Sequence, residues 1–442
     1  MGSSALAAQS SDASVGKTAG RSMGWIAILL GVLTAVGPVS TDIYLPAFPE
    51  LEKSLHARVG SAQMTLAIWF VGLAIGQITM GPVSDRFGRR IPMLLGTFVY
   101  TLASVGCAVA TDIYTFSAFR LIASLGASAS LIIPSACVRD MSHGNESARM
   151  MSRLVLVMGV VPILAPTLGG MVLSFTTWRS IFWAAAVYGV VCMLLIWRVL
   201  PETLKPENRS ELSPVTLCSR YLLLVRDRGF FTNAMIAGFS CFMSFTYLSA
   251  APSVFIHQFG LSPAHFGMMF GVFAVCMIGA SQLNGMLVGR IDATRILGIS
   301  VIVALVGTIG MTLVASLIAE TTKAGGHPSI GLMVALVGAM MFSLGTTGII
   351  GPNATVGALA DHPRLAGSAS AFVGTLQYVL GALAGAIVGM LPSNTPVPMA
   401  AVMMAGAVVM LLMVVLRPRR PAEGALADVP PADGAATGRP TP

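Results

Sequence analysis

Asp42 is the one carboxylate that lies well inside the apolar part of a predicted membrane span. A charged group there costs about 2.5–3.5 kcal/mol on insertion scales, so an acidic residue in a span marks a functional site by default. Such a carboxylate is suited to gain and lose a proton as its exposure changes. Pro38, Pro46 and Pro49 flank it. Each removes a helix hydrogen bond, so we expect this helix to bend or break near its outer end.

Arg120 is the second charge that we place inside a span, in the segment FRLIASLGASAS. Asp42 lies about eight residues from the outer end of the first span, and Arg120 about seven residues from the outer start of the fourth. At 1.5 Å per residue, both lie ~10–12 Å below the outer boundary. We therefore predict that Asp42 and Arg120 form an ion pair whose carboxylate can exchange a proton. In the alternative, Arg120 only extends its guanidinium outward to the membrane surface.

The composition is that of a protein with many membrane spans. Hydrophobic residues make up 55% of the 442 residues and charged residues 10%, against roughly 25% charged in soluble domains. The formal net charge of +8 does not indicate a nucleic-acid partner, because the basic residues lie between apolar runs. The six cysteines and six histidines show no ligand spacing, so we predict no metal site.

Twelve hydrophobic segments predict an all-α membrane protein of two six-helix halves. Each segment is long enough to cross a ~30 Å hydrocarbon core. The predicted spans are 24–48, 61–82, 91–110, 113–138, 150–174, 179–199, 229–255, 264–288, 295–318, 329–357, 365–390 and 397–416. We divide the chain into a disordered tail (1–22), an N-terminal half (23–200), a linker (201–228), a C-terminal half (229–416) and a second disordered tail (417–442).

The distribution of basic residues predicts the orientation. The predicted outer loops hold four of the 26 Lys and Arg residues and Arg120 lies in a span, which leaves 21 on the side of the two termini. Loops rich in Lys and Arg stay in the cytoplasm. Both termini are therefore expected to be cytoplasmic.

The segment GPVSDRFGRR follows the second span. A tight turn there needs glycine at Gly81 and Gly88, and its arginines are also consistent with topology control alone. The order of the motif, with twelve spans, resembles the cytoplasmic loop motif of the major facilitator superfamily. In that family an Asp and a following Arg form a charge network with the end of span 4 and latch the inward gate. The resemblance assigns the gate to Gly81, Asp85, Arg86, Gly88, Arg89, Arg90 and Asp140.

Span 5 contains PILAPTLGG. Two prolines kink a helix, and paired glycines allow another helix to approach closely. Ordinary small-residue packing explains the pattern equally well when it is taken alone. It resembles the span-5 antiporter motif, which in the family is associated with export, although Ala165 replaces the usual Gly. The matching residues are Gly159, Pro162, Pro166, Gly169 and Gly170.

Further motifs narrow the resemblance to the Bcr/CflA group of drug:proton antiporters. They are TDIYLPAFP at 41–49, Pro201-Glu202-Thr203, GPNATVGALA at 351–360 and AGSASAFVGTLQ at 366–377. The resemblance implies a protein of the bacterial inner membrane that exports small amphipathic drug-like compounds by proton antiport, with Asp42 and Arg120 as the proton-coupling residues. We expect the protein to be a monomer. It implies no cofactor beyond the proton gradient. Ala123 replaces the usual Gln after Arg120, which leaves the proton route beyond Asp42 open.

Aromatic and amide side chains in the spans are candidates for the substrate cavity, since they suit an amphipathic ligand. The alternative for each is packing between helices. The candidates are Tyr44, Phe245, Tyr247, Phe255, Asn284, Asn353 and Gln377. Two other functions stay open at this point: a proton-coupled importer of a metabolite on the same fold, and a membrane-embedded enzyme or sensor. For the second we find no catalytic constellation.

Overall fold

Helices account for nearly all of the computed structural model, which describes residues 25–142, 144–209, 214–326, 329–391 and 395–418. The predicted tails lie outside these ranges, apart from residues 417 and 418. Twelve helices in the described ranges are long and apolar enough to cross a membrane. Spans 1–6 are Trp25–Ser54, Ser61–Phe87, Arg90–Val109, Ile113–Met141, Arg149–Leu173 and Trp178–Val199. Spans 7–12 are Arg228–Gln258, Pro263–Leu287, Ala293–Lys323, Ile330–Leu359, Ala366–Met390 and Val397–Leu416.

Large apolar side chains cover the outside of these spans. Phe98, Leu102 and Phe342, for example, are half or more exposed. In water such a surface would be unfavourable, whereas lipid tails solvate it. The protein is therefore a multi-pass membrane protein.

Span 1 is interrupted immediately after Asp42. An α-helix covers Val36–Asp42, a single 3-10 turn covers Leu45–Ala47, and a second α-helix covers Phe48–Ser54. Pro46 and Pro49 lack the N–H groups that a continuous helix would need. The predicted break near the outer end of this span is confirmed.

Span 2 runs five residues beyond its predicted end. The helix continues through Gly81 and Pro82 to Phe87, and the Ser84 hydroxyl donates to the Gly81 carbonyl at 2.9 Å. Of Gly81 and Gly88, only Gly88 has a positive φ, +90°. The prediction of a turn at Gly81 was therefore wrong: Pro82 removes one backbone N–H near the end of the helix, and the helix continues past it.

The two halves contact each other through span 2 against span 11 and span 5 against span 8. We call the end that holds the loop between spans 1 and 2 the Gly60 end, and the opposite end, with the loop between spans 2 and 3, the Arg89 end. A linker helix, Pro214–Arg226, lies at the Arg89 end and contacts spans 7 and 11.

Candidate functional site

A cavity of about 780 Å³ lies between the two halves. Spans 2, 4 and 5 form one wall, spans 10 and 11 form the other, and the linker helix contributes Leu217, Arg220 and Tyr221. Because Asp85 and Arg89 also line it, the cavity reaches the Arg89 end. Its volume is within the usual range for sites that bind drug-sized ligands.

The middle of the cavity is polar but uncharged. Gln77 of span 2, Gln377 and Tyr378 of span 11, and several serines line it. Beside it, Phe70 of span 2 stacks on Phe245 of span 7 with 4.0 Å between ring centroids, and Tyr378 lies 6.3 Å from Phe70. Polar neutral groups beside aromatic rings can bind a compound that has both apolar and hydrogen-bonding parts.

Of the seven residues predicted for this cavity, the structure places only Gln377 in its wall. Tyr44, Tyr247 and Phe255 are fully buried. Asn353 instead donates to the Asn284 side chain at 2.6 Å, and Phe245 packs on Phe70. Residue type and depth do not determine which way a side chain faces in a helix bundle, and these side chains face neighbouring helices. Gln77 and Tyr378 were missed, since no motif marks them.

Asp42 is 5% exposed and does not line the cavity. Its carboxylate accepts a hydrogen bond from the Thr41 hydroxyl at 2.9 Å. No basic side chain forms an ion pair with Asp42 in the ranges that the structure describes. Asp42 is thus a buried carboxylate without a cationic partner.

Arg120 does not form the predicted ion pair with Asp42. Its Nη1 donates to the Ser40 carbonyl at 3.1 Å, and its guanidinium lies 4.2 Å from the Trp69 ring and 4.4 Å from the Tyr44 ring. Two residues along a helix are about 200° apart, so Ser40 and Asp42 face nearly opposite sides of span 1. Ser40 faces spans 3 and 4, where its hydroxyl also bonds Tyr100 at 2.7 Å. The predicted depths of Asp42 and Arg120 in the membrane did not indicate towards which helices their side chains face.

Asp85, Arg89 and Asp140 meet at the Arg89 end. The Arg89 guanidinium donates to Asp85 at 2.5 Å, to Asp140 at 2.8 Å and to Ser84 at 2.8 Å. Burial disfavours the charged guanidinium, but the two carboxylates outweigh burial and raise the pKa of Arg89. Every member lies in the N-terminal half. The network therefore joins spans 2, 3 and 4 and does not tie the two halves together, and its role as a gate stays a prediction.

Glu202 was not among the predicted gate residues, although the motif Pro201-Glu202-Thr203 contributes to the family resemblance. Its carboxylate accepts from the backbone N–H of Arg89 at 2.8 Å, of Leu204 at 3.1 Å and of Arg90 at 3.3 Å. Partial burial raises the pKa of Glu202, but these N–H groups and Arg209 outweigh it and lower the pKa. Two of these donors begin span 3, where a carboxylate is electrostatically favoured. Of the other predicted gate side chains, Arg90 donates to the Trp197 carbonyl and Arg86 lies over the Phe87 ring.

The Gly60 end is closed by contacts between the halves. The Gln63 side chain in span 2 bonds the Ser253 hydroxyl in span 7 at 2.7 Å. Gly60 and Gly389 touch through their backbones, and a Cβ on Gly389 would lie 3.0 Å from the Gly60 carbonyl oxygen. Glu52 holds the loop in place by accepting from the N–H groups of Gly60 at 2.9 Å and Ala62 at 3.0 Å.

The glycines of the span-5 motif bring three helices together. Gly169 lies directly against the Ile43 carbonyl of span 1, and a Cβ on Gly170 would lie 2.5 Å from the Pro263 carbonyl of span 8. Pro162 and Pro166 lie within a continuous helix. Gly159 is less tightly packed: a Cβ added there would lie 3.6 Å from the Ile278 side chain, an ordinary van der Waals distance. Span 5 thus connects the broken segment after Asp42 to the other half of the protein.

Comparison with known families identifies this architecture. The family model described as Major Facilitator Superfamily matches residues 30–386. The chain belongs to the major facilitator superfamily. It is a membrane transporter of this superfamily, as its relatives also indicate.

Three relatives cover most of their own length. A Bacillus subtilis protein named "Uncharacterized MFS-type transporter YdgK" is 36% identical, over 87% of this chain and 93% of its own. The "Bicyclomycin resistance protein homolog" of Haemophilus influenzae is 29% identical, over 87% and 94%. The "Chloramphenicol resistance protein" of Pseudomonas aeruginosa is 28% identical, over 84% and 85%.

Solved structures share the fold of this major facilitator protein. A D-xylose–proton symporter has a TM-score of 0.68 and 18% identity, and the alignment covers 90% of this chain and 98% of that one. A bacterial homologue of the lysosomal transporter Spinster, in an inward-facing conformation, has a TM-score of 0.67 and 13% identity, covering 89% and 96%. At this identity the likeness shows the fold alone.

Proposed function

We propose that this transporter exports small amphipathic drug-like compounds across the bacterial inner membrane in exchange for protons. The observation that carries the proposal is the cavity of about 780 Å³ that is open at the Arg89 end and closed at the Gly60 end. A site accessible from one side at a time is what alternating access requires. Relatives with names that state bicyclomycin and chloramphenicol resistance support drugs as the substrate class.

The excess of basic residues at the Arg89 end favours a cytoplasmic position for it. The structure then represents the inward-facing state, in which a drug enters from the cytoplasm. Opening of the Gly60 end, with closure of the Arg89 end, releases the drug outside.

Asp42 is the proposed proton carrier. A buried carboxylate without a cationic partner is costly as an anion, and binding a proton removes that cost. Arg120 acts through the backbone: it holds the Ser40 carbonyl and so fixes the helical segment that ends at Asp42. Span 5 contacts the carbonyl of Ile43, next to Asp42, and also contacts span 8 of the other half. A conformational change at Asp42 can therefore be transmitted through span 5 to the interface between the halves.

The proton gradient supplies enough energy for this exchange without a further cofactor. One proton moving down 150 mV releases ~3.5 kcal/mol at about 2.3 kcal/mol per 100 mV. At about 1.4 kcal/mol per decade, this supports a concentration ratio of a few hundred-fold for a neutral compound.

Everted membrane vesicles test the direction and the coupling together. Energised vesicles that contain the protein should accumulate chloramphenicol or bicyclomycin, and a protonophore should abolish the accumulation. Vesicles from cells without the protein are the control. Accumulation of a substrate in right-side-out vesicles instead would identify a proton-coupled importer and contradict the export proposal.

A further inference from the structure

Basic side chains outnumber acidic side chains on the cavity wall. Four charged side chains line it: Asp85, Arg89, Arg139 and Arg220. Arg89 is bonded to both Asp85 and Asp140, so this network of two carboxylates and one guanidinium carries one net negative charge. Arg139, at the end of span 4, and Arg220, in the linker helix, form no ion pair or hydrogen bond with a described residue. Among the described residues, the wall and its charge network therefore carry a net charge of +1, with Arg139 and Arg220 as the charges that no carboxylate pairs with.

No free carboxylate among the described wall residues balances these charges. An accessible carboxylate in the wall would offset the loss of hydration that a permanent organic cation incurs on binding. Asp42 is buried and lies away from the wall. The remaining polar wall groups, such as Gln77 and Gln377, are neutral and can bond neutral compounds. The positively charged entrance at the Arg89 end would repel an approaching cation and attract an anion.

We propose that the cavity binds anionic and neutral amphipathic compounds and excludes permanent organic cations, and that Arg139 and Arg220 determine this preference. Their guanidinium groups bind a carboxylate, phenolate or similar oxygen of the substrate as it enters from the Arg89 end. This inference rests on the proposed function, since it takes the cavity as the route of the exported compound.

Two dyes of nearly identical shape and opposite charge provide the test. Rhodamine 123 is a monocation, and fluorescein methyl ester, at mildly alkaline pH, is a monoanion on the same xanthene skeleton. Binding of each to the purified protein is measured by fluorescence anisotropy, with empty detergent micelles as the blank. We expect the anion to bind at least about tenfold more tightly than the cation, which corresponds to about 1.4 kcal/mol. This preference should weaken as salt is added.

Charge reversal should change the preference. Arg220→Glu should reduce the advantage of the anion, and Arg139→Glu together with Arg220→Glu should reverse it. The single Arg220 variant is informative by itself, because Arg139 adjoins Asp140 of the charge network. Arg295→Glu is the matched control, since Arg295 is exposed and lies outside the cavity wall. It should leave both affinities unchanged.

Equal or tighter binding of rhodamine 123 by the wild type would overturn the inference, and so would the absence of saturable binding of the anionic dye. An unchanged preference in the double variant would overturn the role of the two arginines. Drug-dependent proton flux, measured on the same preparations, separates this outcome from failure of the proposed function. If flux persists without a charge preference, antiport stands and the charge selectivity does not.

Discussion

Replacing Gly389 with alanine should open the Gly60 end of the transporter. A Cβ at this position would lie 3.0 Å from the Gly60 carbonyl oxygen and 3.3 Å from Gln63 Cβ. These distances are tighter than nine in ten real Cβ contacts, so the closed end must loosen. Gly389 lies inside the helix of span 11. The intrinsic gain from Gly to Ala in a helix is common to both states and does not affect their equilibrium.

The expected size of the shift follows from this contact. Overpacking costs about 1–3 kcal/mol, and only the closed end experiences it. Such a difference changes a two-state equilibrium by about 5–150-fold. We expect the lower part of this range, since the neighbours must move by only a few tenths of an ångström.

Spin labels across the Gly60 end measure the shift. Arg58 and Lys323 are exposed, lie in different halves and can be replaced by labelled cysteines once the six native cysteines are removed. Double electron–electron resonance should show a new population at longer distance in Gly389→Ala. Gly310→Ala is the control, because Gly310 is also helical but a Cβ added there would have no neighbour within 4 Å. Distance distributions that match in the two variants would refute the closing role of Gly389.

Three further variants test other parts of the account. Asp85→Asn should slow drug turnover while leaving equilibrium drug binding largely intact, because Arg89 keeps Asp140; loss of binding with normal turnover would contradict this. Glu202→Gln should lower the melting temperature at neutral pH. Folding lowers the pKa of Glu202. The carboxylate therefore stabilises the fold above its unfolded pKa of about 4.3, and this stabilisation is lost as the pH falls through the lower folded pKa. A melting temperature that is lower in the variant by the same amount at acidic pH as at neutral pH would contradict this role of Glu202. Gln63→Ala should add a population at longer distance between spin labels at positions 58 and 323, and an unchanged distance distribution would mean that the hydrogen bond between Gln63 and Ser253 does not close this end.

The fold and the break in span 1 were predictable because they depend on strong local signals. Twelve long apolar segments and the prolines at Pro46 and Pro49 leave few alternatives. The meeting of Asp85, Arg89 and Asp140 was implied by the resemblance of the loop motif to that of the major facilitator superfamily, and the structure brings the three side chains together. The end of span 2 was less predictable, since Gly81 and Pro82 are common signals of a helix end and the helix continues through both of them to Phe87.

The direction in which a buried side chain faces was not predictable from sequence position alone. Asp42 and Arg120 share a depth, but the rotation of span 1 presents the Ser40 carbonyl to Arg120 instead. For the same reason, the sequence did not predict which side chains line the cavity. Gln377 faces the cavity whereas Tyr247 packs against Phe273 at 4.6 Å, and no periodic pattern separates them in spans that are apolar on nearly every side.

Drug-dependent proton flux in proteoliposomes tests the central claim about Asp42 most directly. Asp112→Asn is the control, since Asp112 is a partly exposed helix cap that asparagine can replace. We predict that Asp42→Asn abolishes drug transport driven by a pH gradient and drug-dependent proton movement, while exchange of drug for drug without a gradient continues. Transport driven by a pH gradient at the wild-type rate in Asp42→Asn would contradict the account.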